Sequence, residues 1–286
     1  METFRKIDWN RAWSEDSSMR KRGRDPEFWN RRAPSFAQHV QEDAGDDYVD
    51  TFLKVMNPQP EWSVLDVGCG PGTLACPLSK MVRRVTAIDF STGMLDILRA
   101  RKADEGLDNL TLQLGRWEDN WQALGIERHD VAIASRSLGL DNPWEMLTKL
   151  MRFATQKVYV SFAVGAGPFD PRVLEAVGRE ANSNPDYIYL YNLLYQHGIC
   201  ANVAIVDKKA QTFASEEEAV DSLRWMIQDI TRPEEEALRR FVSAHFRPAA
   251  GERWKIEGER STQWAVLWWK MDQNCRDLSR TQTQLS

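Results

Sequence analysis

The chain has 286 residues, enough for one large α/β domain with embellishments, and its length leaves a second domain open. A net charge of −5 argues against a protein that grips nucleic acid by bulk electrostatics, though not against a local basic patch. The N-terminus lacks the apolar core of a signal peptide, and no apolar run approaches a membrane span. The four cysteines (Cys69, Cys76, Cys200, Cys275) have no paired metal spacing and read as reduced thiols of a cytoplasmic protein.

Residues 1–60 read as a helical cap with aromatic anchors: Trp9 and Trp13 four apart, then Phe28, Trp29 and Phe36 around a turn at Pro34. Arg20-Lys21-Arg22-Gly23-Arg24 is a dense basic run, read as a solvated loop ahead of an anion contact. From Trp62 the pattern changes. Val64, Leu65 and Val67 form an apolar run broken by Asp66 and followed by Gly68, Gly70 and Gly72, which predicts a buried parallel strand, a tight turn and a helix over about 72–82. Glycines let the backbone turn sharply and approach a ligand closely. The spacing departs from the dinucleotide pattern Gly-x-Gly-x-x-Gly, because the third glycine comes one position early and Thr73 stands in its place. Asp66 beside the turn would repel a pyrophosphate, and it suits a ligand carrying an ammonium and a sulfonium.

Val64-Leu65-Asp66-Val67-Gly68-Cys69-Gly70-Pro71-Gly72 resembles motif I of the class I S-adenosylmethionine-dependent methyltransferases, of the small-molecule, ubiquinone/menaquinone-methyltransferase-like type. The resemblance implies S-adenosyl-L-methionine as cofactor, with Asp66, Gly68, Cys69, Gly70 and Gly72 around it. The segment from Phe28 to Phe36 is similar to the lead-in that folds over the cofactor in such enzymes, which brings Trp29 or Arg32 to the methionine end or to the acceptor. A second strand over 84–88 ends in Asp89, about 20 residues beyond Gly68, placed to accept hydrogen bonds from the ribose hydroxyls. The following Phe90-Ser91-Thr92-Gly93-Met94-Leu95 resembles the family's next segment, with Ser91 as N-cap and Phe90 and Met94 on the cofactor side. After a third strand over 110–114, Arg116 occupies the place where family members carry an acid for the adenine amino group. Either Glu118 or Asp119 does that work from a shifted loop, with Trp117 on the base, or backbone groups hold the adenine; the plainer reading makes Trp117 ordinary packing and the acids a helix first turn.

A fourth strand over 130–134 leads into Ser135-Arg136-Ser137 at the edge of the expected crevice. Ser135 is assigned to the cofactor, and Arg136 is the candidate anchor for a carboxylate or phosphate on the acceptor. Asp141-Asn142-Pro143-Trp144 reads as a helix start capped by Asn142, not as the Asn-Pro-Pro-Tyr type of motif of amino-methylating enzymes. A fifth strand spans 157–163. Two helices follow, near 171–180 and over 184–198, the second capped by Asn184. On that helix Tyr187, Tyr191 and Tyr195 share a face and, with Asn192, are candidates to hold the acceptor; the same face would equally serve as aromatic packing or a dimer contact. A strand over 199–206, helices over 215–229 and 231–245, and a closing antiparallel strand over 263–270 complete the chain.

The fold class expected is α/β: a doubly wound, seven-stranded Rossmann-like sheet with the last strand antiparallel. Its parts are an N-terminal helical cap (1–60), a cofactor-binding domain (61–271) with a lid insertion at about 168–198, and a polar tail (272–286). The activity implied is methyl transfer to a small-molecule acceptor by in-line displacement. No residue is named catalytic; if a base is used, His197, a lid tyrosine or Asp141 would serve. The histidines lack metal-ligand spacing, so no metal is expected. Partners expected are a small-molecule methyl acceptor, no membrane and no nucleic acid, in a monomer or homodimer. The competing readings are a nucleic-acid or protein methyltransferase docked through the basic run, and a non-catalytic partner subunit that keeps the cofactor fold.

Overall fold

Alternation along the central strands decides the layering. β1 (Ser63–Val67) is buried throughout, and its pleat sends Val64 to one face of the sheet and Leu65 and Val67 to the other. The computed structural model describes residues 6–15, 25–42, 47–138, 141–165, 167, 170–180, 185–208, 211–224, 227, 229–251, 253–258 and 262–272. The basic run at 20–24, the Asn184 cap, Cys275 and the tail beyond 272 lie outside these residues, as do the side chains of Phe36 and His39.

The remaining strands of the main sheet are β2 (Arg84–Asp89), β3 (Leu110–Leu114), β4 (His129–Ser135), β5 (Ala154–Ala163), β6 (Asn202–Lys208) and β9 (Thr262–Lys270). They join in the order β3-β2-β1-β4-β5-β9-β6, and β9 runs antiparallel to both of its neighbours. The seven-stranded sheet with an antiparallel last strand is as expected from sequence. The order reverses between β1 and β4, which opens a crevice at their carboxyl ends.

Helices cover both faces. On one face lie α1 (Trp9–Glu15), α6 (Pro143–Phe153) and α8 (Tyr187–Gln196), where Trp13, Leu147, Leu150, Leu190 and Leu194 pack on Leu65, Ala132, Val158 and Leu267. On the other lie α3 (Asp47–Met56), α4 (Ala75–Ser79) and α5 (Thr92–Asp104), where Tyr48, Phe52, Leu78 and Leu98 pack on Val64, Val131, Ile133 and Tyr159. Ser91 and Asn142 cap α5 and α6 as expected, accepting from the backbone N–H of Met94 and Glu145. Asp186, in place of the expected Asn184, accepts from the N–H of Ile188 at the start of α8.

Two expectations are corrected. The chain does not turn at Pro34: α2 (Pro26–Glu42) runs through it, with the proline ring exposed and one backbone hydrogen bond forgone. Cys200 is disulfide-bonded, so the four cysteines are not all reduced thiols; sequence spacing does not report which cysteines the fold brings together. Cys69 and Cys76 are free and buried.

A second core stands apart from the sheet. It is built by α7 (Pro171–Ala176), α9 (Glu216–Arg224), α10 (Arg232–His245) and the hairpin of β7 (Phe246–Pro248) with β8 (Trp254–Ile256), around Val173, Leu223, Leu238, Phe241 and Ile256. Lys208 of β6 pairs with Thr262 of β9, beyond the register of Ala163, so the intervening stretch leaves and rejoins the sheet at the carboxyl edge of β5. Arg172 donates to the carbonyl of Glu257, and Arg179 forms a two-pronged ion pair with Glu234, tying α7 into this unit. Within the segment expected as a lid, α7 packs into the small core, while α8 packs on the sheet face. Phe241→Ala is expected to destabilise the small core by about 3 kcal/mol, read as a lowered urea midpoint in fluorescence-monitored unfolding.

Candidate functional site

The strand β1 ends in a turn that only glycine accommodates. Gly68, Gly70 and Gly72 all have positive φ, at 69°, 54° and 86°. A Cβ on Gly68 would lie 2.3 Å from the Cβ of Ser137, and one on Gly72 would lie 2.3 Å from Leu98 Cδ1, so these two glycines are required by packing. Gly70 is different: a Cβ there would meet nothing within 4 Å, which leaves its Cα facing open space at the crevice. Cys69, between them, turns its thiol into the core, where burial and the charges of Asp89 and Asp66 push its pKa well up; only its backbone is left for a ligand.

Two acids flank the turn. Asp66 is 2 % exposed, and burial together with the charge of Asp89 pushes its pKa up to about 7, with Arg136 pulling the other way. Asp89, at the tip of β2, is also buried; its Oδ2 accepts from the N–H of Gly70 at 2.8 Å and its Oδ1 from the N–H of Ser91 at 2.9 Å. Its pKa is raised by burial and held down by those backbone donors. Each carboxylate oxygen has a second lone pair, so the hydrogen bonds that fix Asp89 leave acceptor capacity for ligand hydroxyls.

The cap helix α2 sits over this corner. Asn30 Oδ1 accepts from Ser91 Oγ at 2.8 Å and from the N–H of Gly93 at 3.0 Å. A Cβ on Gly93 would lie 3.0 Å from that of Ala33, so the two helices approach through small residues. Asn30 was not singled out from sequence; the signal was a short polar side chain three positions before Ala33 on one helical face. Trp29 meets Phe28 edge-on, and the guanidinium of Arg32 lies 3.8 Å from the Phe28 ring centre, its pKa lowered by burial to about 10. Phe90 is half-buried, and Met94 is buried under the α5 cap.

The loop after β3 approaches from the far side. Trp117 Nε1 donates to the carbonyl of Ser137 at 3.2 Å and its ring packs on Trp121. Asp119 Oδ2 accepts from the N–H of Arg116 at 2.8 Å, and Glu118 is exposed.

At the end of β4, Ser137 Oγ donates to the carbonyl of Val67 at 2.6 Å, pinning this loop to the glycine turn. Arg136 has φ 56°, a left-handed conformation that costs a residue with a Cβ about 1–2 kcal/mol. Its backbone N–H is held by Ser161, at 3.1 Å to Oγ and 3.3 Å to the carbonyl. Its guanidinium lies 4.3 Å from the centre of the Tyr48 ring and 5.6 Å from that of Trp264. The fully buried Tyr48 hydroxyl shares 2.6 Å hydrogen bonds with Ser135 Oγ and Ser161 Oγ. Tyr48, Ser161 and Trp264 lie on three separate elements and carry no motif, so sequence gave no sign that they would meet.

The tyrosines of α8 are placed differently. Tyr187, Tyr189 and Tyr191 are half-buried against the sheet-face core, Tyr189 meets Trp9 edge-on, and Asn192 and Tyr195 are half-buried on the same helix. The N-terminal end of α8 reaches the crevice, where Asp186 Oδ2 accepts from the N–H of Gly165 at 2.7 Å; at its other end His197 stacks on Trp144.

Residues 64–165 match a family described as a methyltransferase domain. An uncharacterised protein of Haemophilus influenzae is 34% identical over 249 residues, covering 86% of this chain and 90% of that protein. The ubiquinone/menaquinone biosynthesis C-methyltransferase UbiE of Zymomonas mobilis is 25% identical over 156 residues, 49% of this chain and 63% of that one. The ribosomal RNA small subunit methyltransferase G of Deinococcus radiodurans is 32% identical over 134 residues, 46% and 51% of the two chains. A Bacillus halodurans crystal structure, provisionally classed as a methyltransferase, superposes with a TM-score of 0.52 at 14% identity, over 78% of this chain and 98% of that one, and so shares the fold. Motif, strand order and family match agree: the chain belongs to the class I S-adenosylmethionine-dependent methyltransferases.

Proposed function

We propose that this enzyme methylates a small-molecule acceptor, with the cofactor lying along the glycine turn between Asp66 and Asp89. The observation that carries the reading is the pairing of two buried acids with an open Gly70 backbone, a negative recess that favours a cationic ligand. S-adenosyl-L-methionine, when bound, supplies a methyl carbon on a positive sulfur, open to in-line attack by an acceptor O, N, C or S atom as the carbon–sulfur electron pair returns to sulfur. The chain's own part is alignment and exclusion of water. Gly68, Gly70 and Gly72 shape the turn, Asp89 offers lone pairs to the ribose, and Asp66 supplies the charge opposite the cationic groups. Cys69 and Ser135 border the cofactor, Phe90, Met94, Trp117 and Glu118 its adenine side. Asn30 holds the cap closed over that corner.

On the acceptor side we assign Arg136, with Trp29 and Arg32 from the cap and Tyr187, Tyr191, Asn192 and Tyr195 of α8 as the remaining candidates. A net charge of −5 favours a small acceptor over a nucleic acid, although one relative is named as a ribosomal RNA methyltransferase. No helix among the described residues is long and apolar enough to cross a membrane.

Calorimetric titration with S-adenosylmethionine is expected to show binding that Asp89→Ala weakens by about tenfold or more and that Asp89→Asn, which keeps one acceptor, weakens less; unchanged affinity in both would remove the cofactor from this corner. Gly70→Ala and Gly72→Ala separate function from packing. Gly70→Ala is expected to lose cofactor binding at a stability cost of about 1–2 kcal/mol, while Gly72→Ala, which collides with Leu98, costs more and lowers the melting temperature further.

Asp66 sets a pH dependence. Its folded-state pKa lies above the ordinary carboxylate value, so the folded chain binds a proton more tightly than the unfolded one, and stability falls as pH rises towards 7. The ionised form favours the cationic ligand, so affinity for S-adenosylmethionine is expected to rise by up to about fivefold from pH 6 to pH 7. Asp66→Asn should flatten that rise and raise the melting temperature of the ligand-free protein at about pH 8. A pH-independent affinity in the wild type would show that Asp66 does not face the cofactor's charge.

A further inference from the structure

Arg136 is the point where the backbone is strained and a charged side chain is displayed together. It stands one residue before Ser137, which touches the glycine turn through its side chain, so the acceptor side of the crevice begins at this position. Its left-handed φ is one that glycine or asparagine would adopt more easily, yet an arginine is held there by two contacts from Ser161 to its backbone N–H. The guanidinium is exposed and rests on the Tyr48 and Trp264 rings. The two rings restrain where the group sits without taking up its N–H donors as a carboxylate would. Among the described residues no acceptor takes those donors, whereas Arg172, Arg179, Arg224 and Arg239 all hold carboxylates.

Building on the methyl-transfer reading, we propose that the acceptor is an organic carboxylate, and that Arg136 receives its carboxylate group while a different atom of the acceptor takes the methyl. A planar fork matches a planar carboxylate through two parallel hydrogen bonds. A phosphate dianion fits less well: it would bring two charges to one guanidinium, close to the buried acid Asp66. Lys149, on α6, already donates to the carbonyls of Trp117 and Asp119. The methylated atom gives up its proton to solvent where it carries one, and the anchoring carboxylate survives into the product.

The test uses the full chain with methyl-tritiated S-adenosylmethionine and a small-molecule cell extract. The labelled product is isolated and identified by mass spectrometry before and after carbodiimide coupling to an amine. A product with a free carboxyl group is expected. Arg136→Ala is expected to cut label transfer about tenfold or more while calorimetric affinity for S-adenosylhomocysteine stays within about threefold. Arg136→Lys, a point charge without the fork, should recover only part of the rate. Arg136→Gly relieves the left-handed strain, so its melting temperature should not fall even though transfer is lost. A product bearing phosphate, a product bearing no acid, or label in acid-precipitable RNA or protein would overturn the assignment. So would a melting temperature several degrees lower in Arg136→Gly, which would make the stack on Tyr48 a structural contact. If the wild type binds the cofactor and labels nothing, the methyl-transfer reading itself fails, and the anchor falls with it.

Discussion

Three loops of this protein meet at one serine. Ser137 fills the space that any side chain on Gly68 would need, donates its hydroxyl to the carbonyl of Val67, and offers its own carbonyl to Trp117. The ends of β1 and β4 and the loop after β3 are thereby fixed to one another at the topological switch point of the sheet. A glycine is demanded at position 68 twice over, once by its φ and once by the volume of Ser137. The position of Arg136 follows from the same contact, because its neighbour is locked to the turn on one side and Ser161 holds its backbone on the other.

The cap obeys a similar logic at the next strand. Asp89 uses its two oxygens to arrange the turn and the first residues of α5, and Ser91 then becomes the meeting point between the sheet and the N-terminal helix through Asn30. Closing the cap therefore needs little apolar area, because Ala33 and Gly93 let backbones approach until polar groups can bond directly. The small core is built in the opposite way, from buried Phe241, Leu238 and Val173 with ion pairs at its rim. The two additions to the sheet are held by different chemistry, a hydrogen-bonded helix and an apolar unit.

The sheet was legible because its signals are local. Buried parallel strands appear as short apolar runs, and glycines, caps and the terminal acids mark where each ends, so β1 to β5, β9 and the caps at Ser91 and Asn142 fall where the sequence predicts. Sequence predicts a turn at Pro34 because proline is a helix breaker on average, and tertiary packing of α2 overrides that preference here. The short hairpin β7-β8 escaped notice because three-residue strands carry no usable period. Within the site, Asp66, Asp89 and the glycines announce themselves by spacing. Tyr48, Ser161 and Trp264 do not, because what makes them neighbours of Arg136 is the juxtaposition of α3, β5 and β9.

Charge divides the crevice. On the β1–β2 side two acids are buried with partners too few to neutralise both, and the penalty of confining them appears as the raised pKa of Asp66. On the β4 side Arg136 offsets that penalty without forming an ion pair with either acid among the described residues. A closed Arg136–Asp66 bridge would have silenced both charges. With the guanidinium on the Tyr48 and Trp264 rings the two charges stay apart, so one side of the crevice carries buried acids and the other an exposed cation. The left-handed backbone at Arg136 is what maintains the separation: it turns the side chain out over α3 and β9 at the point where an extended residue would have continued β4. The strain at that residue and the polarity of the crevice are thus two consequences of one local conformation.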